Sequence, residues 1–454
     1  MAFESVNPAT GQSLKTFSAW DKGTIEEALQ QVQESRFVWA TRPLSERCRL
    51  LGVVARQLRE RKEDLARVIT LEMGKLVTEA RAEIEKCAWV CEYYAEQAPR
   101  FLADEVVESD AGRSYVALQP LGTVLAIMPW NFPFWQVFRF CAPALVAGNT
   151  ALLKHASNVP QCALAIEQTL LEAGFPHGVF RTLLVTSAQA AEVIADPRVQ
   201  GVTLTGSEAA GRKVAECAGQ HLKKTVLELG GADPFIVLAD ADLEQTVPVA
   251  VQSRFVNGGQ SCIAAKRFIV MEKVADEFVA RFQTSLEALR PGDPLDEQTT
   301  LAPLARLDLR EELHRQVKAS IEQGAVAVTG CHPLAGPGAY YAPSILDRVQ
   351  PGMPAFEEEL FGPVAAIIRV ADEVEAVALA NASRYGLGGS VWSRDVPRAE
   401  ALALQLQCGA AFVNGLVKSD PRLPFGGVKC SGYGRELSWH GMREFVNQKT
   451  VWIK

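Results

Sequence analysis

The 454-residue chain has no apolar run approaching the roughly 18 to 20 uncharged residues needed to span a bilayer. Its first ten residues also lack a basic segment leading into an apolar one, so the reading is a cytoplasmic protein without an export signal. Positive charge is not in excess. Lys and Arg total 46 against 53 Asp and Glu, and the two signs are interspersed, which excludes a surface built to neutralise nucleic-acid phosphates. The ten cysteines lack paired metal-ligand spacing; the closest two, Cys87 and Cys91, have no histidine or second pair beside them. They read as small buried apolar side chains, with neither a metal nor disulfides expected. Internal repeats and low-complexity tracts are also missing.

What the chain does have is apolar residues, 48% of a length too great for one ordinary core, so two or three domains are expected. Thr24-Ile25-Glu26-Glu27 reads as a capping box opening a helix. Helical periods follow from about Ser45 to Met73 and from Val77 to Phe101, where Ile84, Cys87, Ala88 and Cys91 make one stripe. From Val116 the texture becomes that of an α/β protein. Strands are expected at 122–128, 150–154, 179–185, 202–205 and 225–229, with crossover helices at 135–146, 160–173, 188–194 and 208–218. Five such units make a doubly wound parallel sheet that binds ligands at the carboxyl ends of its strands. A second α/β series is expected at 235–237, 267–271, 325–329, 365–370, 388–391 and 411–413, with 333–343 a Pro/Gly-rich loop. Residues 444–454 read as a terminal strand, pairing either with another subunit or with its own chain.

Four short stretches carry candidate chemistry. Gly259-Gln260-Ser261-Cys262 presents a thiol among glycine and small residues, the setting of an exposed turn, although an ordinary buried cysteine has the same local look. Leu227-Glu228-Leu229 holds a carboxylate among apolar residues at a strand end, where its pKa should rise and suit it to activating water; a structural ion pair is the alternative. Asn131, just past a strand, can donate to a developing oxyanion or cap the next helix. Gly206-Ser207 joins a strand to a helix and suits a phosphate, or is a plain tight turn. No histidine neighbours Cys262 in sequence, so a Cys/His hydrolase requires folding to bring His155 or His440 near.

Taken together, these residues resemble the signature blocks of the aldehyde dehydrogenase superfamily. The blocks are Pro129-Trp130-Asn131-Phe132-Pro133, Lys154, Thr205-Gly206-Ser207, Glu228-Leu229-Gly230-Gly231, Gly259-Gln260-Ser261-Cys262, Glu358-Glu359-Leu360-Phe361-Gly362-Pro363 and Pro424-Phe425-Gly426-Gly427. They stand in family order across essentially the whole chain. Within the superfamily the chain is most similar to bacterial succinic semialdehyde dehydrogenases, on the strength of Arg139, eight residues after Asn131.

The resemblance implies a fold of two doubly wound, Rossmann-like α/β domains plus a β oligomerisation arm. The cofactor-binding domain would comprise 1–108 and 123–227, the catalytic domain 228–425, and the oligomerisation strands 109–122 and 434–454 of a homodimer or homotetramer. It implies a catalytic set of Cys262, Glu228 and Asn131, with Cys262 passing through a thiohemiacetal and a thioester. Pro129, Trp130, Lys154, Ser157, Gly206, Ser207, Glu359 and Phe361 would meet the nicotinamide cofactor. Arg139 would hold a substrate carboxylate, with Trp135, Ser261, Ser419 and Phe425 lining the same tunnel. NADP is expected over NAD, because Ser157 stands where NAD-preferring relatives commonly carry a glutamate that would repel a 2′-phosphate. The expected reaction is oxidation of succinic semialdehyde to succinate, with glutaric semialdehyde or other small aldehydes as the broader alternative. The chain departs from common family patterns at Ala232, where a lysine or asparagine is frequent, and at Ala264, which removes a neighbouring cysteine and with it a local disulfide switch.

Overall fold

The computed structural model describes residues 2–454. It opens on a hairpin, β1 (Ala2–Val6) against β2 (Ser13–Ser18), that the sequence pattern did not reveal. Helices α1 (Lys22–Thr41), α2 (Leu44–Glu60), α3 (Lys62–Met73) and α4 (Val77–Phe101) follow. The cap of α1 is Asp21, whose carboxylate accepts from the Thr24 backbone N–H at 2.8 Å, so Thr24 lies inside the first turn instead of capping it. The single helix expected over 45–73 is divided at Arg61, and α3 ends on Gly74 at φ +85°, a left-handed conformation that glycine adopts without steric cost. The span of α4 matches its apolar period, and Ile84, Cys87, Ala88 and Cys91 are all buried along it.

After the short β3 (Glu105–Val106) and the longer β4 (Arg113–Pro120), the first sheet is built from β5 (Thr123–Met128), β6 (Thr150–His155), β7 (Phe180–Thr182), β8 (Val199–Thr205) and β9 (Lys224–Glu228). The crossovers are α5 (Trp135–Val146), α6 (Pro160–Glu172), α7 (Ser187–Ala195) and α8 (Glu208–Gln220). All five strands are parallel in the order β7-β6-β5-β8-β9, and Gly432–Tyr433 adds an antiparallel edge to β9. Only Phe180–Thr182 of the expected strand at 179–185 pairs as a strand. Alternate residues serve opposite faces: Leu125 and Leu152 pack under α1, whereas Val124, Ala126 and Leu153 pack under α2, α4 and α5. Strand order reverses between β5 and β8, which opens a crevice at their carboxyl ends.

The second sheet contains β10 (Asp233–Val237), β11 (Ala265–Met271), β12 (Val326–Thr329), β13 (Ser344–Asp347), β14 (Val364–Val370), Gly388–Trp392 and Ala410–Val413. Its order is β12-β13-β14-β11-β10, then 388–392 and 410–413, parallel throughout except for β12 against β13. Strand β13 was not anticipated, because four buried residues follow directly on the Pro/Gly-rich loop and carry no alternation. Helix α9 (Leu243–Phe255) links β10 to β11 and delivers the cysteine turn. At the chain end, Val446–Ile453 pairs antiparallel with β4 of the same chain along its whole length, and β3 flanks the other side of β4. Val106, Trp452 and Ile453 on this small sheet are exposed. No helix among the described residues is long and apolar enough to cross a membrane.

Candidate active site

Past the end of α9, the chain makes a tight turn in which Asn257, Gly258 and Gly259 all have positive φ, at 55°, 61° and 77°. A side chain at Gly259 is impossible even apart from its φ: a Cβ there would lie 2.3 Å from the Gly362 carbonyl oxygen. Asparagine tolerates the left-handed conformation at 257, and its side chain ties the turn to the first sheet. Asn257 Nδ2 donates to the Asn131 and Gln260 carbonyls at 2.8 and 3.1 Å, and its backbone N–H donates to Glu79 at 2.8 Å. Asn131 Nδ2 donates to the Gln260 carbonyl at 3.0 Å, and the second hydrogen of that amide is left for another acceptor. Gln260 closes the turn by bonding the Pro303 carbonyl and the Ala305 N–H. Cys262 is thereby fixed at the junction of the two sheets.

Two buried cations hold the turn, and sequence reasoning missed both. Lys266 Nζ donates to the Ser261 and Cys262 carbonyls at 2.8 Å each and pairs with Glu359 at 3.2 Å. Arg254 donates to the Gly259, Leu360 and Gly362 carbonyls, stitching the turn to the Glu359-Leu360-Phe361 loop. For Lys266 the available signal was Lys266-Arg267 at the head of an otherwise apolar strand, since buried charges in such a place must be paired. Burial pushes the Cys262 thiol up to about 12, against the pull of Lys266 and Arg139, so the resting side chain is a protonated thiol that needs a base.

Cys262 lines two cavities. One, of about 390 Å³, is the crevice between β5 and β8: Pro129, Trp130, Gly206, Ser207, Glu359 and Phe361 line it, as does Asn131. Ser207 caps α8 by accepting from the Ala210 N–H, so the electropositive start of a 13-residue helix opens here. Trp130 and Phe361 meet edge to face across the crevice, 5.7 Å between ring centres. A helix N-terminus for phosphate, an aromatic wall and a carboxylate for ribose hydroxyls fit a nicotinamide dinucleotide. Lys154 and Ser157 are not in this wall. They lie at the carboxyl end of β6, the strand paired with β5, and Ser157 is exposed.

The other cavity, of about 470 Å³, is walled by Trp135 and Arg139 from α5, by Ser261, Ser419 and Phe425, and by Glu79 and Lys86 from α4. Arg139 is engaged within the protein: its guanidinium pairs with the buried Glu436, Nη2 donates to Thr205 Oγ1 at 3.2 Å, and the group lies 4.7 Å from the Phe425 ring centre. Glu228 lines neither cavity. Its carboxyl points at Gly426, where a Cβ would come within 2.6 Å of it, and neither oxygen has a hydrogen-bond partner among the described residues. Burial, followed by repulsion from Glu436, holds the Glu228 pKa well above the usual carboxylate range. Glu436 was not singled out in the sequence, where it sits among Gly434, Arg435 and Leu437 with nothing to mark it.

Neither candidate histidine belongs to the site. His155 is buried against the Pro133 carbonyl at 2.9 Å with its pKa lowered to about 4, and His440 stacks on Trp439. Neither lines a cavity with Cys262, which removes the Cys/His arrangement. All ten cysteines are free, and Ala232 and Ala264 are simply buried.

A reactive-turn thiol between a dinucleotide crevice and a second cavity, on two α/β sheets, defines an NAD(P)-linked aldehyde-oxidising class. The chain belongs to the aldehyde dehydrogenase family, whose sequence pattern matches residues 1–451. It is 51% identical over 453 residues to a probable succinate-semialdehyde dehydrogenase [NADP(+)] of Synechocystis sp., covering 100% of both chains. It is 49% identical to the succinate-semialdehyde dehydrogenase [NADP(+)] of Deinococcus radiodurans, covering 99% of this chain and 94% of that one. Among solved structures, the succinic semialdehyde dehydrogenase of Streptococcus pyogenes in complex with NADP+ superimposes with a TM-score of 0.98 at 41% identity, over 99% of each chain.

Proposed function

We propose that the protein oxidises succinic semialdehyde to succinate with NADP+ as the acceptor. The observation that carries the reading is Cys262 in the wall of both the dinucleotide crevice and the cation-lined cavity. The similarity to succinate-semialdehyde dehydrogenases, one of them solved with NADP+, supports it. In this reading the Cys262 thiol passes its proton to water in the cavity and the sulfur adds to the aldehyde carbon. The Asn131 amide and the Cys262 N–H donate to the oxyanion. NADP+, when bound, would supply the acceptor for the hydride on this carbon. Cys262 is left as a succinyl thioester; Glu228 then draws a proton from water as its oxygen attacks the thioester carbon, and succinate leaves with the thiol restored.

For the cofactor, Gly206, Ser207, Pro129 and Trp130 would receive the phosphates and neighbouring groups, Glu359 and Phe361 the nicotinamide end, and Lys154 with Ser157 the 2′-phosphate. For the substrate, Trp135, Ser261 and Phe425 would enclose the carbon chain, with Arg139 and Ser419 at its carboxylate end. The reading extends to a cytoplasmic homodimer or homotetramer joined through the exposed sheet of β3, β4 and 446–453. A rate survey of short aldehydes with and without an ω-carboxylate, each run with NAD+ and NADP+, tests the assignment. Preference for the carboxylated aldehydes with NADP+ is expected; equal rates across the series would leave an aldehyde dehydrogenase of broad specificity.

A further inference from the structure

The substrate cavity contains a charge that the mechanism leaves unused. Lys86 enters it from α4, largely buried, with Nζ donating to Ser419 Oγ at 2.8 Å and lying 4.2 Å from the Trp135 ring centre. The carboxylates whose fields reach it are already taken: Glu83 pairs with Lys75, and Asp420 with Arg422 at 2.7 Å. Glu79, on the same helix, accepts from the Asn257 N–H instead. Arg139, the cavity's other cation, has its charge balanced by Glu436. A buried ammonium without a counter-ion is costly, and an incoming anion removes that cost.

We propose that Lys86, with the Ser419 hydroxyl beside it, is the charge that anchors the substrate's terminal carboxylate and sets the preference for carboxylated aldehydes. The inference rests on the proposed aldehyde dehydrogenase reaction and names the residue that selects its substrate. Ser419 accepts a hydrogen from Lys86, so its own O–H remains to donate to the carboxylate. The indole face of Trp135 holds the ammonium in place when the anion is absent. Arg139, tied to Glu436 and Thr205, contributes only its remaining N–H groups. An uncharged aldehyde of equal length gains nothing from Lys86, which is what makes the residue selective.

Titration gives an independent handle. Burial lowers the Lys86 ammonium to about 8; Arg139 lowers it further, while Cys87 and Glu83 on α4 and Asp420 opposite pull it back up. In the free enzyme, therefore, the anchor discharges as pH rises past about 8, whereas a bound carboxylate favours the charged form.

The test compares kcat/KM for succinic semialdehyde and butanal, at saturating NADP+, in wild type, Lys86→Met and Lys86→Arg. Lys86→Met is expected to lose about 30-fold or more on succinic semialdehyde, mainly through KM, and less than about 3-fold on butanal, the scale of a lost hydrogen bond to a charged group. Wild-type KM for succinic semialdehyde should climb above pH 8 relative to that for butanal, and Lys86→Arg should flatten the climb. Equal losses on both aldehydes, or no loss, would overturn the proposal. Should Lys86→Met fail to fold, the wild-type pH series decides alone, and a KM ratio flat from pH 7 to about 9.5 overturns the proposal. A wild-type enzyme that does not prefer succinic semialdehyde to butanal overturns instead the functional reading beneath it.

Discussion

The two cavities that meet at Cys262 are built differently. The dinucleotide crevice is framed by strand ends and a helix N-terminus, with Trp130, Phe361 and Glu359 as its side-chain walls. The substrate cavity is made by side chains from helices α4 and α5 and from a distant loop, and its chemistry depends on which charges are already paired. A crevice of the first kind admits one class of ligand whatever its neighbours. A cavity of the second kind is specific only through its balance of charges.

That contrast can be broken from both sides. The largest effect should come where the cavities join: Cys262→Ala is expected to lower turnover roughly 10⁵-fold or more for every aldehyde and either cofactor, read as reduced nicotinamide. Residual activity within a hundredfold of wild type would remove the thiol from the chemistry. Next, Ser157→Glu addresses the cofactor side alone, at the carboxyl end of β6 beside the crevice. The ratio of kcat/KM for NADP+ over NAD+ should fall by about tenfold or more, a change of about 1.4 kcal/mol, while the ranking of aldehydes stays as it was. A ratio that does not fall would separate Ser157 from the 2′-phosphate.

The smallest effects concern the buried pair behind the substrate cavity. Glu228 has a raised pKa, so it is protonated below that value and works as a base above it; deacylation should rise with pH through this ionisation. Glu436→Gln removes a like charge and should move the rise to lower pH. Arg139→Ala removes an attracting charge and should move it to higher pH, for butanal as for succinic semialdehyde. Shifts in the same direction for the two variants would show that neither acts through Glu228.

Much of this was legible in the sequence because parallel strands buried on both faces read as apolar runs, and turn glycines mark their ends. The spans of α4 and α5 coincide with the elements found. The hairpin of β1 and β2 and the four-residue β13 were not readable, β2 being largely exposed and β13 too short to show a period. The crevice residues Trp130, Ser207 and Glu359 sit in the local blocks that carry the family resemblance, which is what singled them out. Lys86 was not singled out: it stands between Glu85 and Cys87 in a helix rich in charge, and only the pairing of Glu83 with Lys75 and of Asp420 with Arg422 leaves it alone. Glu436 is similar, since its partner Arg139 lies far away in sequence, on α5.

The division of labour between Cys262 and Glu228 is tested most directly by trapping. Glu228→Gln, mixed with NADP+ and succinic semialdehyde, should release about one equivalent of NADPH per active site and then stall. The peptide containing Cys262 should then carry the mass of a succinyl group, because the thioester forms but water is not activated to cleave it. Full steady turnover by that variant, or a stalled enzyme with Cys262 unmodified, would contradict the account.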